Sequence, residues 1–426
     1  MGVRKASEDK GRRICTQASA HCFLETLMPR DTDRITRIQN ALKKNSLRAI
    51  VCSRPENVLM LTGYWPVMGT SLGIVRDDGH VGVLVPEDEH DLAMHGWADT
   101  LHTFQPATLK AMTTTIGAMH QPLTQLAEHM LLPGAPLGFE AGTALVAASY
   151  LAIHEFALAL RNLLEKAVPG AALRGADDML ADLRSVKTPT EIAHIRKACQ
   201  VAAGAFKNGL PAAHTGQTEM QMAYAFRSGL VQDALEAEHQ RADGFIYCMS
   251  GPNSALAYKA YQKSGTRRIA AGDTVLMHCN SYVHGFWTDL TRTYSAGRAD
   301  DQQRRIHDAI MEARAAALGV IRPGVTACDV DHVARGVMQR YGYGEQFVHP
   351  TGHGIGFGAN DHNAVPCLHP KSAHVLAAGM VFNVEPAAYI KDVCGLRHCD
   401  MVTVTADGME LLSNFQADAA PLIIGQ

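Results

Sequence analysis

Hydrophobic spacing in the first part of the chain predicts alternating helices and strands. Apolar positions at helical spacing indicate an amphipathic helix from Arg34 to Lys44, and the apolar run LRAIVCS at 47–53 is typical of a strand. The segment SLGIVRDDGHVGVLVP at 71–86 predicts two strands joined by a tight turn at Asp78 and Gly79. Since strand and helix signals continue to alternate beyond this hairpin, we predict an α/β domain.

The second half of the chain begins with a strong helix signal. Thr188 and Glu191 have the spacing of a capping box, and Pro189 stands at the first helical position. Later apolar runs, separated by Gly and Pro turns, are typical of strands: DGFIYCMSG, DTVLMHCNSYV and GMVFNVEPAAYI. Helices combined with antiparallel strands predict an α+β domain.

Length and composition predict two domains behind a short tail. The chain has 426 residues, 47% of them hydrophobic, which is enough to bury two sizeable cores. The Gly- and Ala-rich segment AVPGAALRGADD has the character of a joint between domains. We therefore expect a flexible tail over residues 1–30, an N-terminal domain over 31–172 and a C-terminal catalytic domain over 173–426.

The charge pattern excludes several classes of protein. The net charge is −3 and there is no basic stripe, so we expect no nucleic-acid partner. No uncharged run approaches the roughly 18 residues that a membrane span needs, and the N-terminal residues do not resemble a signal peptide. Ten cysteines in a chain of this kind are expected to stay reduced. We predict a cytoplasmic enzyme acting on a small-molecule substrate.

Side chains suited to acid/base or metal chemistry are concentrated in four segments: LMHCNSYVHGFWTDLTRTY, HPTGHGIGFGANDH, NVEPAAY and GLRHCDMVTV. His353 lies between two glycines, which let backbone approach a ligand closely. Glu385 follows an apolar strand, and a buried carboxylate there needs a cation, a substrate or a hydrogen-bond network as its partner. These segments predict one site in the C-terminal domain.

The same segments, together with LRSVKTPTEIAHIRKA and GDTVL, follow the order seen in the creatinase, aminopeptidase P and prolidase family, which this chain resembles. The resemblance is strong from residue 184 to about 410, and RPENVLMLTGYWP near 54–66 resembles the family's N-terminal domain more weakly. It implies a pita-bread fold in the C-terminal domain and a homodimer. It also implies that Tyr64 or Trp65 of the N-terminal domain reaches a neighbouring active site.

The resemblance also implies a metal site that has changed. Peptidases of the family bind two divalent metals through two Asp, one His and two Glu, of which Asp289, His353 and Glu385 are present here. His278 replaces the first Asp, and Cys399 replaces the last Glu. Bridging carboxylates supply two oxygens each, whereas an imidazole offers one lone pair at a time, so a two-metal site is not expected. The mixed donor set suits one divalent ion, Zn, Fe or Mn, or none.

The remaining candidate residues follow from the same comparison. His353 and His349 are predicted to move protons, Glu385 to activate water and Arg397 to orient the site. Tyr258 stands where peptidases carry a substrate-binding histidine, and it is included among the catalytic candidates. For substrate binding we predict His349, His362, Tyr64 and Trp65.

Purely structural roles remain open for several of these residues. His353 can be a core histidine that is satisfied by backbone groups, and Glu385 can form a buried ion pair with Arg397. Asp289 can cap a turn, and Cys399 can simply fill the space of the missing Glu.

Four functions remain open on the sequence alone. The main prediction is a creatinase-like hydrolase that cleaves a C–N bond in a small polar amide, amidine or urea-like molecule. The alternatives are a metal-dependent Xaa-Pro aminopeptidase or dipeptidase, a lyase on the same scaffold, and a non-catalytic binding module.

Overall fold

The structure is a computed structural model that describes residues 29–68, 70–109, 112–142, 157–237, 239, 241–259, 264–359, 361, 365–417 and 420–425. Nearly all of the predicted tail and the candidate substrate residue His362 lie outside these ranges.

A six-stranded sheet forms the centre of the N-terminal domain. Its strands are β1 (Ala49–Cys52), β2 (Leu72–Arg76), β3 (Val81–Pro86), β4 (Thr100–Phe104), β5 (Pro136–Phe139) and β6 (Ala172–Gly175), in the order β4-β3-β2-β1-β5-β6. The predicted hairpin is confirmed, because β2 and β3 are antiparallel and Gly79 has a φ of 88°, which favours glycine. Since β6 pairs with β5, the sheet ends at Gly175 rather than at residue 172. The domain boundary itself stays a prediction.

Helices cover both faces of this sheet. They are α1 (Thr32–Lys44), α2 (Pro55–Thr62), α3 (His90–Ala93), α4 (Thr115–His129), α5 (Leu158–Ala167) and α6 (Asp177–Ser185). In β1, Ile50 packs in the cluster that includes α1 and α2, whereas its neighbour Val51 packs in the cluster that includes α4 and α5. Alternate side chains of one strand thus enter two cores, which explains why β1 is apolar throughout.

The described part of the C-terminal domain contains two helix pairs and three small sheets. The helices are α7 (Pro189–Gly209), α8 (Glu219–Glu236), α9 (Asp301–Val320) and α10 (Ala327–Arg340). The strands are β7 (Ala242–Ser250), β8 (Thr274–Val283), β9 (Phe286–Trp287), β10 (Leu290–Ala296), β11 (Val381–Val384), β12 (Ala387–Ile390), β13 (Cys394–Arg397), β14 (Asp400–Val404), β15 (Met409–Leu411) and β16 (Leu422–Ile424).

The first sheet has the order β16-β10-β8-β7, and β9 pairs with β8 at its side. The second sheet has the order β11-β14-β15, and the third consists of β12 and β13. The pairs are antiparallel apart from β10 with β16, so the predicted α+β class is confirmed. Within the described ranges, no helix combines the length and the apolar composition that crossing a membrane requires.

A buried ion pair connects the two domains. The capping box predicted at the start of α7 is present, with Thr188 and Glu191 each accepting a backbone N–H of the other. The carboxylate of Glu191 also accepts hydrogen bonds from Arg34 of α1, at 2.7 Å from Nε and 2.5 Å from Nη2. Arg34 donates further to the carbonyl of Leu183 at 2.6 Å. One glutamate thus caps α7 and binds the N-terminal domain.

Lys187 carries a buried amino group beside this joint. The residue is 2% exposed, and among the described residues its Nζ has no hydrogen-bond partner. Burial lowers the pKa of Lys187 to about 8, although Asp361 and Glu191 partly oppose the shift. Below pH 8 the amino group of Lys187 is therefore charged while buried, which lowers the free energy of unfolding. Between pH 8 and the ordinary lysine pKa the unfolded chain binds more protons, so this contribution to stability rises with pH.

Replacing Lys187 by Met is therefore expected to stabilise the protein at neutral pH and much less at pH 10. The difference in unfolding free energy between variant and wild type should shrink by roughly 3 kcal/mol between pH 7 and pH 10.5. Urea unfolding of both proteins across this range measures the difference directly. A difference that stays constant with pH would contradict the buried-charge explanation.

Candidate active site

Strand ends in the C-terminal domain bring the predicted site residues together. His278 lies in β8, and Asp289 directly precedes β10. Glu385 directly follows β11, and Cys399 lies between β13 and β14, bridged to Thr291 of β10. The segment with His353 pairs with β11 through Gly354 and Phe382. All five predicted metal-site residues are buried; Asp289, Glu385 and Cys399 bring ligand atoms together, and His278 and His353 each lie 3.5 Å from Asp289.

Asp289, His353 and Glu385 form the centre of the site. Nε2 of His353 lies 3.5 Å from Oδ2 of Asp289 and 3.8 Å from Oε1 of Glu385. Nδ1 of His353 donates to the carbonyl of Gly354 at 3.1 Å, so Nε2 is the nitrogen that faces the carboxylates. Asn383 accepts the backbone N–H of His353 at 2.7 Å and places its Nδ2 3.2 Å from Nε2. The sequence analysis did not identify Asn383, although it lies two residues before Glu385.

The protein shifts the pKa values of these three groups in different directions. Burial raises the pKa of Glu385 to about 7, since Arg397 and His353 only partly offset the loss of solvent and the nearby Asp289 carboxylate adds to it. Burial alone would raise the pKa of Asp289, but the neighbouring imidazoles and the Arg397 guanidinium lower it. Burial would lower the pKa of His353, but Asp289 and Glu385 raise it. The surroundings therefore favour the anion at Asp289, the neutral acid at Glu385 and the imidazolium at His353.

His278 is held as a neutral imidazole by its neighbours. Asn280 donates to the carbonyl of Thr288 at 3.2 Å, which directs its Oδ1 towards Nε2 of His278 at 2.8 Å. Arg397 donates to Nδ1 of His278 at 2.8 Å. Burial lowers the pKa of His278 to about 4, consistent with the neutral form. Both nitrogens are thus hydrogen-bonded within the protein, and the role of His278 as a metal ligand stays a prediction.

Arg397 also holds a tyrosine that the sequence analysis missed. Its Nη1 lies 3.5 Å from the hydroxyl of Tyr389, which in turn lies 3.1 Å from Nε2 of His349. Nδ1 of His349 donates to the carbonyl of Pro350 at 2.8 Å, so Nε2 accepts from Tyr389. Burial lowers the pKa of His349 to about 4. Both ring nitrogens of His349 are thus hydrogen-bonded within the protein, and proton transfer by His349 stays a prediction.

Cys399 packs as a thiol against Asp289. Its Sγ donates to the backbone carbonyl of Asp289 at 3.1 Å and accepts from Asn383 at 3.4 Å. Burial, together with the carboxylates of Asp289 and Glu385, raises the pKa of the Cys399 thiol. All cysteines of the described residues are free thiols.

The donor set does not fit the two-metal centre of the family's peptidases. That centre needs bridging carboxylates, and His278 has neither a carboxylate nor an unused nitrogen. Ligand atoms of Asp289, Glu385 and Cys399 do lie within 4.8 Å of one another, and His353 faces the same carboxylates. These four residues fit a single divalent ion.

The remaining candidates occupy different places. Tyr258 is half-buried, and its ring packs on Tyr389 at 5.2 Å. Tyr64 is 2% exposed and donates to Glu89 at 2.5 Å inside the N-terminal domain. Its hydroxyl is thus bound in its own domain, and a role of Tyr64 at a neighbouring active site stays a prediction. Trp65 is half-buried and packs on Tyr282 of the C-terminal domain at 5.1 Å.

Comparison with known proteins shows similarity over most of the chain. The model of Metallopeptidase family M24 matches residues 193–406, and that of the Creatinase/Prolidase N-terminal domain matches residues 34–186. An Xaa-Pro dipeptidase of Pyrococcus furiosus is 28% identical over 91% of this chain and 99% of its own length. One of Pyrococcus horikoshii is 26% identical over 91% and 98%.

Solved structures give the same picture of the fold. The prolidase from Pyrococcus furiosus has a TM-score of 0.69 at 25% identity, over 89% of this chain and 99% of its own. An Xaa-Pro dipeptidase from Bacillus anthracis has a TM-score of 0.73 at 22% identity, over 92% and 99%. The predicted two-domain architecture with a pita-bread C-terminal domain is confirmed. The descriptions of these relatives support the Xaa-Pro dipeptidase alternative better than the creatinase-like prediction.

Proposed function

Because this chain belongs to Metallopeptidase family M24, a family of hydrolases as the sequence predicted, we propose that its site hydrolyses a C–N bond in a small polar amide, amidine or urea-like molecule. The observation that carries this proposal is the hydrogen-bonded, neutral state of His278. A side chain in that state cannot bridge two metals, so the hydrolysis must depend on the groups that remain.

Such a hydrolysis needs two proton transfers, and Glu385 and His353 would each carry out one of them. Ionised Glu385 accepts a proton from water while the water oxygen bonds to the substrate carbon. Protonated His353 then donates its Nε2 proton to the departing nitrogen as the C–N bond breaks. Asp289, 3.5 Å from Nε2, stabilises the imidazolium before that transfer. The raised pKa of His353 favours the imidazolium that this step requires, whereas Glu385 is ionised only above its pKa of about 7.

A single divalent ion is compatible with this site. Asp289, His353, Glu385 and Cys399 would hold it, and it would supply Lewis-acid activation of water.

The second candidate is an Xaa-Pro dipeptidase. It is favoured by the relatives, whose similarity extends over nearly the whole chain. The retained Asp289, His353 and Glu385 are common to both candidates. His278 and Tyr258 separate them, because each replaces a residue that the resemblance assigns to peptidase chemistry.

A substrate panel distinguishes the two candidates. We expect the purified protein to release amine or open the ring with creatine or ectoine-type cyclic amidines, and to leave Xaa-Pro dipeptides intact. We also expect elemental analysis of the active protein to give at most one ion per chain. Robust dipeptide cleavage that requires two ions per chain would reject the proposal in favour of the peptidase.

The chain offers a matched control for the metal measurement. The double variant His278→Asp, Cys399→Glu restores the two carboxylates that the resemblance assigns to the two-metal site. We expect it to bind more Mn²⁺ per chain than the wild type under identical dialysis. Equal metal content in both proteins would show that these two positions do not set the metal stoichiometry. The predicted homodimer and cytoplasmic location stay predictions.

A further inference from the structure

A series of buried polar side chains runs from the N-terminal domain to the loop that carries His353. It begins at Asn57 of α2, whose Oδ1 accepts a hydrogen bond from Nη1 of Arg184 in α6 at 2.5 Å. Nε of Arg184 donates to Oδ2 of Asp361 at 2.8 Å. Asp361 belongs to the segment that follows His353, so one guanidinium connects two helices of the N-terminal domain to this loop. We call Asn57, Arg184 and Asp361 the polar link.

The polar link reaches His353 through a backbone carbonyl. The N–H of Asp361 donates to the carbonyl oxygen of Gly354 at 3.0 Å, and Nδ1 of His353 donates to the same oxygen at 3.1 Å. Because Nδ1 is bound there, Nε2 is the nitrogen that faces the carboxylates of Asp289 and Glu385. The position of this carbonyl therefore contributes to the orientation of the imidazole.

Asn383 holds the backbone of His353 from the other side. Its Oδ1 accepts the N–H of His353 at 2.7 Å, and its own backbone N–H donates to the His353 carbonyl at 3.1 Å. These two bonds fix the peptide groups of His353, but they leave rotation of the imidazole about its side-chain torsions open. The bond to Gly354 limits that rotation on the Nδ1 side of the ring.

The side chains of the polar link have little access to water. Asn57 is 2% exposed, Arg184 4% and Asp361 8%. Burial alone would lower the pKa of Arg184, but the carboxylates of Asp361 and Glu56 raise it, so the guanidinium stays charged. A planar guanidinium binds two partners at fixed angles, and water cannot take its place in a buried position. Loss of Arg184 would therefore free Asp361 to move, together with the carbonyl that it binds.

We propose that Arg184 and Asp361 are positioning residues for His353. Through the Gly354 carbonyl they keep Nε2 of His353 directed at the two carboxylates, so the N-terminal domain helps to set the geometry of the active site. The inference rests on the proposed function for the role of His353 in proton transfer. It applies equally to the dipeptidase candidate, because both candidates retain His353.

NMR of the His353 ring tests the inference without turnover. In protein that carries isotope-labelled histidine, the Nδ1–H resonance of His353 is identified by its absence in His353→Gln. We expect Arg184→Met and Asp361→Ala, measured separately, to speed the exchange of this proton with water by about 3- to 10-fold, because its hydrogen bond weakens. Arg241 also joins the two domains, donating to the carbonyl of Trp65 at 2.6 Å. Arg241→Met is therefore the matched control and should leave the exchange unchanged.

Steady-state kinetics measure the consequence for catalysis. We expect Arg184→Met to lower kcat by about 10- to 100-fold with little change in KM, because a displaced proton donor weakens the transition state more than substrate binding. Arg241→Met should keep kcat. The rates are compared at temperatures where circular dichroism shows both variants to be folded, so that a loss of folded protein is not counted as a loss of kcat.

The two measurements separate this inference from the proposed reaction. Unchanged exchange of the Nδ1–H proton in both polar-link variants would overturn the positioning role, and so would a wild-type kcat in folded Arg184→Met. If the substrate panel yields no turnover at all, the proposed function fails, while proton exchange still decides the positioning role.

Discussion

Replacing Glu385 by Gln is expected to lower kcat by about 10² to 10⁴, the usual effect of removing a general base. The amide cannot accept the proton of water, and it is also a weaker ligand for any divalent ion at the site. The backbone N–H of Glu385 still donates to Thr351 at 2.7 Å, so the nearly isosteric side chain should not unfold the site. Steady-state rates on the substrate identified by the panel measure the effect, with near-full activity contradicting the assignment.

Two variants serve as controls for this loss. Glu140→Gln makes the same chemical change in a buried glutamate of the N-terminal domain, whose carboxylate accepts from Ser53 and Asn57. It should keep kcat at temperatures where the protein is folded. Cys399→Ala should change kcat little if the thiol only packs against Asp289, and should lower metal retention if it is a ligand.

Replacing Arg34 by Met is expected to lower the free energy of unfolding by about 3–5 kcal/mol, the range for breaking a buried ion pair on one side. The change leaves the Glu191 carboxylate buried without its cation, and it removes the donor to Leu183. Both side chains of the pair are at most 4% exposed, so water cannot replace the lost partner in place. Chemical denaturation followed by tryptophan fluorescence measures the loss.

A neighbouring arginine provides the matched control. Arg37 of the same helix pairs with Asp33 at 2.7 Å, but its side chain is 31% exposed. Arg37→Met should therefore cost no more than about 1 kcal/mol. In the double variant Arg34→Met, Glu191→Met, apolar packing replaces both charges, and part of the loss should be recovered. If Arg34→Met and Arg37→Met lowered the free energy of unfolding equally, burial of the Arg34–Glu191 ion pair would not be the cause of the loss.

Local elements were determined by the sequence itself. Thr188, Pro189 and Glu191 predicted the start of α7, and the Asp78-Gly79 turn predicted the β2–β3 hairpin, as the structure confirms. Such signals can be read from sequence because each depends on contacts within a few residues of the chain. The ordered motifs likewise indicated the family and identified the strand ends that carry Asp289 and Glu385.

The hydrogen-bond partners at the site were decided only by the tertiary structure. The bond from Arg397 to His278 joins residues 119 positions apart, and that from Tyr389 to His349 spans 40. No local pattern encodes such pairs, so Tyr389 was missed. In the same way, Tyr64 and Trp65 are adjacent in sequence, yet Tyr64 is bound in its own domain whereas Trp65 packs on Tyr282 of the C-terminal domain. Residue type limits what a side chain can do chemically, but only packing determines which lone pairs and ring faces remain for a ligand.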